Sequence, residues 1–252
     1  ASSAAARMGR VGGKVAEGLG RACYKNILLD SKVILCTIAS TSRVLREWEE
    51  AVGAPLATHT VIVDECGCTS ESSVALLMRM NPCNLIMVGD HKQLPPTSLV
   101  PPQELQGTGH DRSLLERCVL ASGRVHKLRE QYRMHDDICQ LVSTRFYNGL
   151  LVTPPEVKAA RMRAEKTPLI WVTVRGAETV PPRTKSFVNW EEVSVAVAAA
   201  RRLRRLHPDV TIAILPFYRG QLMELMKATP ASLGVEVLTV DSCQGSEFDY
   251  VI

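Results

Sequence analysis

Short apolar runs with polar ends set the rhythm of this chain. Val61-Ile-Val63 stops abruptly at Asp64 and Glu65, and Leu85-Ile-Met-Val88 stops at Gly89 and Asp90. Val33 to Thr37, Leu169 to Val174, Val210 to Leu215 and Val235 to Val240 have the same character, and Val125 to Leu128 and Phe248 to Ile252 are shorter examples. Continuous runs of this length, rich in β-branched residues, read as strands buried on both faces, as in a parallel sheet.

Between the runs the period lengthens to that of a helix. Ser42 to Glu50 has helical composition. Ser70 is placed to cap a helix through Val74, Leu77 and Met78 that Pro82 ends. Ser113 to Leu120 and Gly220 to Lys227 read as further helices. Asp136 to Phe146 shows Ile138, Leu141, Val142 and Phe146 on one side. Asn189 to Glu192 has the spacing of a capping box, and Val193, Ala196, Val197, Ala200 and Leu203 form a stripe behind it. Arg201, Arg202, Arg204 and Arg205 fall on the polar side of that helix and read as a solvated face. Strand–helix alternation with short links predicts an α/β fold with mainly parallel sheets. Residues 95–111 hold four prolines and read as a loop, and Gly123 is a candidate hinge between domains at 1–123 and 124–252.

Composition narrows the class. The 252 residues are 46% hydrophobic and 22% charged, an ordinary soluble balance. A formal charge of +4 is compatible with a polyanion partner without demanding one. Eight cysteines without a Cys-x-x-Cys pair point to a reduced compartment, cytoplasmic or nuclear, rather than a disulfide framework. Cys66 and Cys68 have no second cysteine or histidine pair to complete a zinc site. No run approaches the roughly 20 apolar residues of a membrane span.

The chemistry gathers at the strand ends, where open α/β sheets bind their ligands. Taken alone, Asp64 and Glu65 suit a turn or a helix cap as well as a magnesium site. In order along the chain stand Asp64-Glu65, then Gly89-Asp-His-Lys-Gln-Leu-Pro-Pro96, then Glu130-Gln-Tyr-Arg-Met-His135. Leu215-Pro-Phe-Tyr-Arg-Gly-Gln221 and Val240-Asp-Ser-Cys-Gln-Gly-Ser-Glu247 come after them. From about Val33 to Ile252 this series resembles the helicases of superfamily one, in the branch of the RNA helicase of nonsense-mediated decay and senataxin.

The resemblance implies two RecA-like domains, ATP hydrolysed between them with Mg2+, and single-stranded nucleic acid as partner, RNA favoured and DNA possible. A monomer is implied. Asp64 would hold magnesium, Glu65 would orient and deprotonate the attacking water, and Gln93 would touch the γ-phosphate and that water. Arg133 would reach the γ-phosphate from the second domain. Tyr132 would pack on the nucleotide base, and Glu247 would bond the ribose, with Gly245 letting the backbone approach. Thr37, Ser40, Pro95, Pro96, Pro216, Tyr218, Thr239 and Ser242 would meet the nucleic acid, mostly through its backbone, with Tyr218 able to stack on a base. A planar guanidinium suits phosphate oxygens, and phosphoryl transfer asks mainly for placed charge and an oriented water.

Two departures qualify the match. Gly12-Gly13-Lys14 is not a phosphate loop, because Val15 follows the lysine and Met8 stands where the first glycine belongs. That loop and the family's last motif are absent from these residues, so the first domain is expected to lack its N-terminal part and the second its C-terminal part. These 252 residues alone are therefore expected to bind ATP poorly and not to hydrolyse it. Cys66-Gly67-Cys68 follows the carboxylates, where relatives often carry a glutamine or serine a few residues on, and reads as tolerated variation. The alternative function is a helicase-like module that binds nucleic acid or protein without catalysis.

Overall fold

The computed structural model describes residues 23, 25–105, 107–122, 125–164, 167–182 and 185–252. The chain divides into two compact units, Ala1–Leu128 and Arg129–Ile252. Gly123, the expected hinge, and Gly12 to Lys14 lie outside the described residues.

In the first unit, residues 25–30 form a helical turn, α1. Helix α2 (Ile38–Val52) starts where the Thr37 hydroxyl accepts the Ser40 N–H at 3.3 Å, and Gly53 ends it in the left-handed conformation. Strands β1 (Thr60–Val63) and β2 (Asn84–Met87) pair in parallel, with Val61 beside Leu85 and Val63 beside Met87. Between them a 3-10 turn (Cys66–Cys68) leads into α3 (Glu71–Ala75), capped by the Ser70 hydroxyl and prolonged as a 3-10 helix over Leu76–Met80. Helices α4 (Pro102–Leu105) and α5 (Leu114–Ser122) complete the unit. Val61 and Val63 join Val44, Leu45, Val74 and Leu77 in one core. Burying each such side chain contributes about 1.5–3 kcal/mol.

The runs differ from expectation in their outer face. Ile62 and Ile86 are exposed, so among the described residues this sheet is covered on one side only. Val33 to Thr37 is not part of any strand, with Leu35 93% exposed. A strand needs a neighbour's ladder as well as an apolar run, and Thr37 instead commits its carbonyl and hydroxyl to the start of α2.

The second unit holds α6 (Asp136–Phe146), α7 (Pro155–Ala164), a two-residue antiparallel pair of β3 (Glu178–Thr179) with β4 (Val188–Asn189), and α8 (Trp190–Leu206). Strand β5 (Ile212–Ile214), helix α9 (Arg219–Ala228), strand β6 (Glu236–Val237) and strand β7 (Tyr250–Val251) complete it. The three strands form a parallel sheet in the order β6-β5-β7. All of β5 is buried, and Val193, Val197 and Ala200 of α8 pack with Ile214 and Leu225. The Asn189 side chain accepts the Glu192 N–H at 3.2 Å, the forward half of the expected capping box, but the Asn189 N–H donates to the Gln221 side chain at 2.9 Å rather than to Glu192. Leu169 to Val174 and Val125 to Leu128 are not strands, and Trp171 is 92% exposed. Helix α6 also turns a different side inward. Asp136, Cys139 and Ser143 are buried, while Leu141 and Phe146 are exposed, because Ser143 exchanges two hydrogen bonds with the backbone of Leu151.

Arg204 is not part of a solvated face. Its guanidinium donates to the carbonyls of Leu233, Pro208, Val210 and Gly234 at 2.7–3.0 Å, tying the end of α8 to the loops flanking β5 and β6. No described helix is long and apolar enough to cross a membrane. Arg204→Ala should destabilise the second unit by roughly 2–4 kcal/mol, since it strands four carbonyls that had a charged donor. Arg201→Ala should stay within about 0.5 kcal/mol. Urea unfolding of the two variants checks the contrast, and equal midpoints would contradict it.

Candidate functional site

The acidic pair sits just past β1. Asp64 and Glu65 are both exposed, and one Asp64 carboxylate oxygen accepts the Glu65 N–H at 3.0 Å. Glu65 itself is left-handed, at φ 50° and ψ 37°. A non-glycine residue there costs on the order of 1–3 kcal/mol and persists only where its surroundings impose it. The imposing contacts are visible. The Glu65 carbonyl accepts from Cys68 N–H at 3.2 Å and from the Cys68 thiol at 3.1 Å, and the next amide, Cys66 N–H, donates to the Val88 carbonyl at 2.8 Å. Cys66 is fully buried, and burial pushes its thiol pKa up.

The strand-end loop after β2 packs directly on this turn. A Cβ on Gly67 would lie 2.4 Å from the Asp90 carbonyl oxygen, and one on Gly89 would lie 2.8 Å from the amides of Cys66 and Gly67. The two loops therefore touch backbone to backbone. Asp90 then organises Gln93: its carboxylate accepts the Lys92 N–H at 2.9 Å and the Gln93 side-chain amide at 3.2 Å. Asp64, Glu65 and Gln93, three expected site residues, thus belong to one backbone-locked pair of loops. Reading Gly67 as tolerated variation is wrong, because the contact with Asp90 leaves no room for a side chain. The signal in the sequence is a glycine two positions after the acidic pair, where a close approach needs one.

In the second unit Gln131 is the organiser. Its buried side-chain oxygen accepts the N–H groups of Arg133 (2.9 Å) and Met134 (2.6 Å), and its amide donates to the Met134 carbonyl (2.9 Å) and the Thr153 hydroxyl (2.7 Å). With both ends satisfied, it fixes the turn that sends Tyr132 and Arg133 outward. The Tyr132 hydroxyl donates to Glu130 at 2.9 Å, and this bond to a carboxylate raises the phenol pKa. Arg133 Nε donates to Glu247 at 2.6 Å, and its Nη2 pairs with the same carboxylate. Two expected site residues 114 positions apart are thereby joined. Gly245 has φ 80° with open space around it, a conformation other residues adopt only under strain.

The expected nucleic-acid residues divide by exposure. Thr37 and Ser40 are exposed with hydroxyls 2.9 Å apart, and the Thr239 and Ser242 hydroxyls repeat that arrangement at 2.9 Å. Pro95 and Tyr218 are exposed, whereas Pro96 and Pro216 are buried and serve packing.

Among the described residues no three His, Cys, Asp or Glu side chains are grouped to hold a metal unaided. That suits magnesium, which is commonly bound by one or two carboxylates with phosphate and water supplying the rest. Exposed Asp64, with one oxygen outside its bond to Glu65 N–H, fits that part.

The described fold is mixed helix and strand with parallel sheets, and the acidic and amide groups stand at the carboxyl ends of β1 and β2. Family models described as AAA domain match residues 7–100 and 110–252. The chain is 32% identical over 256 residues to the human 3'-5' exoribonuclease HELZ2, covering 91% of this chain and 8% of that protein. It is 31% identical over 264 residues to human senataxin, covering 95% and 10%, and 30% identical over 255 residues to helicase sen1 of Schizosaccharomyces pombe, covering 92% and 14%. The chain belongs to this AAA-domain helicase family, in the branch of senataxin and the regulators of nonsense transcripts. It spans about a tenth of the length of these relatives.

Gly67→Ala should cost about 1–3 kcal/mol, because the new methyl meets backbone that cannot rotate away. Thermal unfolding tests this, and an unchanged melting temperature would show that the Asp90 backbone can give way. Asp136 beside the turn accepts from Lys158 at 2.6 Å, and that bond holds its carboxyl below the usual carboxylate range. The stability from this pair is present above the ordinary carboxylate pKa and disappears as pH falls through the lowered folded value. Lys158→Met should therefore lower the melting temperature near neutral pH, with the gap closing in acid. A gap independent of pH would exclude the ion pair as its source.

Proposed function

We propose that these residues form the core of an ATP-driven helicase or translocase acting on single-stranded nucleic acid, RNA favoured. The observation that carries it is the locked pair of loops presenting Asp64, Glu65 and Gln93 at the carboxyl ends of β1 and β2. ATP would be hydrolysed with groups from both units, each read as RecA-like.

Within this reading the chain's own groups divide the labour. Asp64 supplies a hard oxygen for Mg2+, which when bound neutralises charge on the phosphates. The Glu65 carboxylate is exposed and takes no hydrogen bond or ion pair among the described residues, so it remains available to accept a proton from water. The Glu65 backbone is left-handed and is fixed by the bonds its carbonyl takes from Cys68. Gln93 is already steered by Asp90 and presents its amide oxygen to the same water. Arg133 offers a guanidinium whose present partner, Glu247, is an exposed carboxylate. Exposed pairs of this kind contribute roughly 0–1 kcal/mol, so a phosphate can displace the carboxylate at little cost. Glu247, once released, is free to accept from a ribose hydroxyl. Tyr132, fixed by Glu130, offers a ring for the base.

The test belongs in a polypeptide that carries these residues behind a phosphate loop. Glu65→Gln should leave nucleotide affinity within about threefold while cutting nucleic-acid-stimulated turnover by roughly 100-fold or more, on the scale of general-base catalysis. Unchanged turnover would remove Glu65 from this role. A matching loss of affinity would make it a binding group instead.

A further inference from the structure

Helices α8 and α9 share one core with β5, through Val193, Val197 and Ala200 on the first and Leu225 on the second. A cleft of about 410 Å³ opens along α8 and reaches Ala228 at the end of α9. That volume is within the range of ligand sites. Val193, Val197, Arg201 and Arg205 all line it, and each stands four residues after the one before, so together they form one ridge of α8. Ser194 and Ala198 begin the neighbouring ridge. From Val193 to Arg205 the helix axis runs about 18 Å.

The two ends of the cleft differ in chemistry. One end is aliphatic, with Val193, Val197, Ala198 and Ala228, and the Ser194 hydroxyl there is turned back to donate to the Trp190 carbonyl at 3.1 Å. The other end carries Arg201 and Arg205, both exposed, and neither makes an ion pair or a hydrogen bond among the described residues. No carboxylate lines the cleft, and the one carboxylate of α9, Glu224, pairs with Lys227 at 2.8 Å. Arg204, between the two arginines, is committed to backbone carbonyls. The helix dipole favours cations in the last turn, which accounts for Arg204 and Arg205 but not for Arg201.

We propose that this cleft docks an acidic amphipathic helix of a partner protein, its aliphatic side chains over Val193, Val197 and Ala228 and its carboxylates on Arg201 and Arg205. Charge complementarity fixes the sign of the occupant, because two guanidiniums at one end meet no acid of their own unit. The lining contains no aromatic ring on which a base could stack, which favours a peptide over nucleic acid. The walls are helical and offer no strand edge, so an extended peptide would leave its backbone groups without partners, whereas a helix satisfies its own. Ridges four residues apart are the surface into which a second helix packs. The inference concerns a face separate from the strand-end loops and stands whether or not the chain handles ATP.

The probe is a fluorescein-labelled peptide of about 16 residues, long enough to form a helix by itself. It carries leucines at i, i+3 and i+4 and glutamates at i+7 and i+11, and a second peptide has lysines in place of the glutamates. In anisotropy titrations the 252-residue chain should bind the acidic peptide at least about 10-fold more tightly than the basic one. Arg201→Glu with Arg205→Glu should reverse that preference. Ala198→Trp fills an exposed position of the cleft and should weaken the acidic peptide roughly 10-fold at an unchanged melting temperature. Equal affinity for the two peptides, or a preference that the double substitution does not reverse, overturns the proposal. Undiminished binding by the Ala198→Trp variant also overturns it and puts the contact elsewhere. Displacement of the acidic peptide by an equal concentration of oligouridine assigns the arginines to nucleic acid instead. Absence of acidic-peptide binding at about 1 mM removes the docking site altogether.

Discussion

The first unit's chemistry depends on a contact between two pieces of main chain. At Gly67 the backbone after β1 approaches the Asp90 carbonyl so closely that no side chain fits between them, and Gly89 makes the reciprocal approach to the amides of Cys66 and Gly67. Side-chain contacts can relax by rotating, but a backbone contact on strands already in register cannot. Glu65 is held in a conformation that its own sterics disfavour, and Gln93 is steered through Asp90 rather than left mobile. The parallel pairing of β1 with β2 supplies this precision. Val61 beside Leu85 and Val63 beside Met87 set both loops at the same height.

The sequence made the elements legible where the deciding information was local. The V-I-V run of β1, the Asn189 cap of α8 and the full span of α6 all appear as expected. It misled where the deciding information was distant. Val33 to Thr37 and Leu169 to Val174 have the composition of strands, yet a strand exists only when another segment completes its ladder. The inward side of α6 went astray for a related reason. Ser143 and Asp136 are buried because Leu151 and Lys158 satisfy them, and neither partner can be read from helix periodicity. Arg204 likewise looked like one of four surface arginines until its four carbonyl partners placed it.

The candidate site divides in the same way. The acidic pair, the glutamine and the arginine stand out because their residue types suit phosphate chemistry. Their supports do not, because Gly67 and Gln131 act through geometry. Gln131 has no catalytic chemistry of its own, yet it converts a flexible four-residue turn into one that projects Tyr132 and Arg133 in fixed directions. Burying an amide is tolerable here because both its ends are bonded.

The repeated Thr-x-x-Ser turn shows why a cap and a contact are not competing explanations. At Thr37 and again at Thr239 the hydroxyl accepts the amide three residues on, at 3.3 Å and 3.2 Å, and meets the serine hydroxyl at 2.9 Å. A hydroxyl has one donor and two acceptor positions, so these bonds leave capacity to spare in each pair. The cap does for the hydroxyls what Gln131 does for Arg133: it fixes their direction before any ligand arrives. Under the proposed nucleic-acid reading, a phosphate reaching either turn would meet groups whose ordering cost has already been met by the fold, and removing the cap would loosen that contact together with the turn.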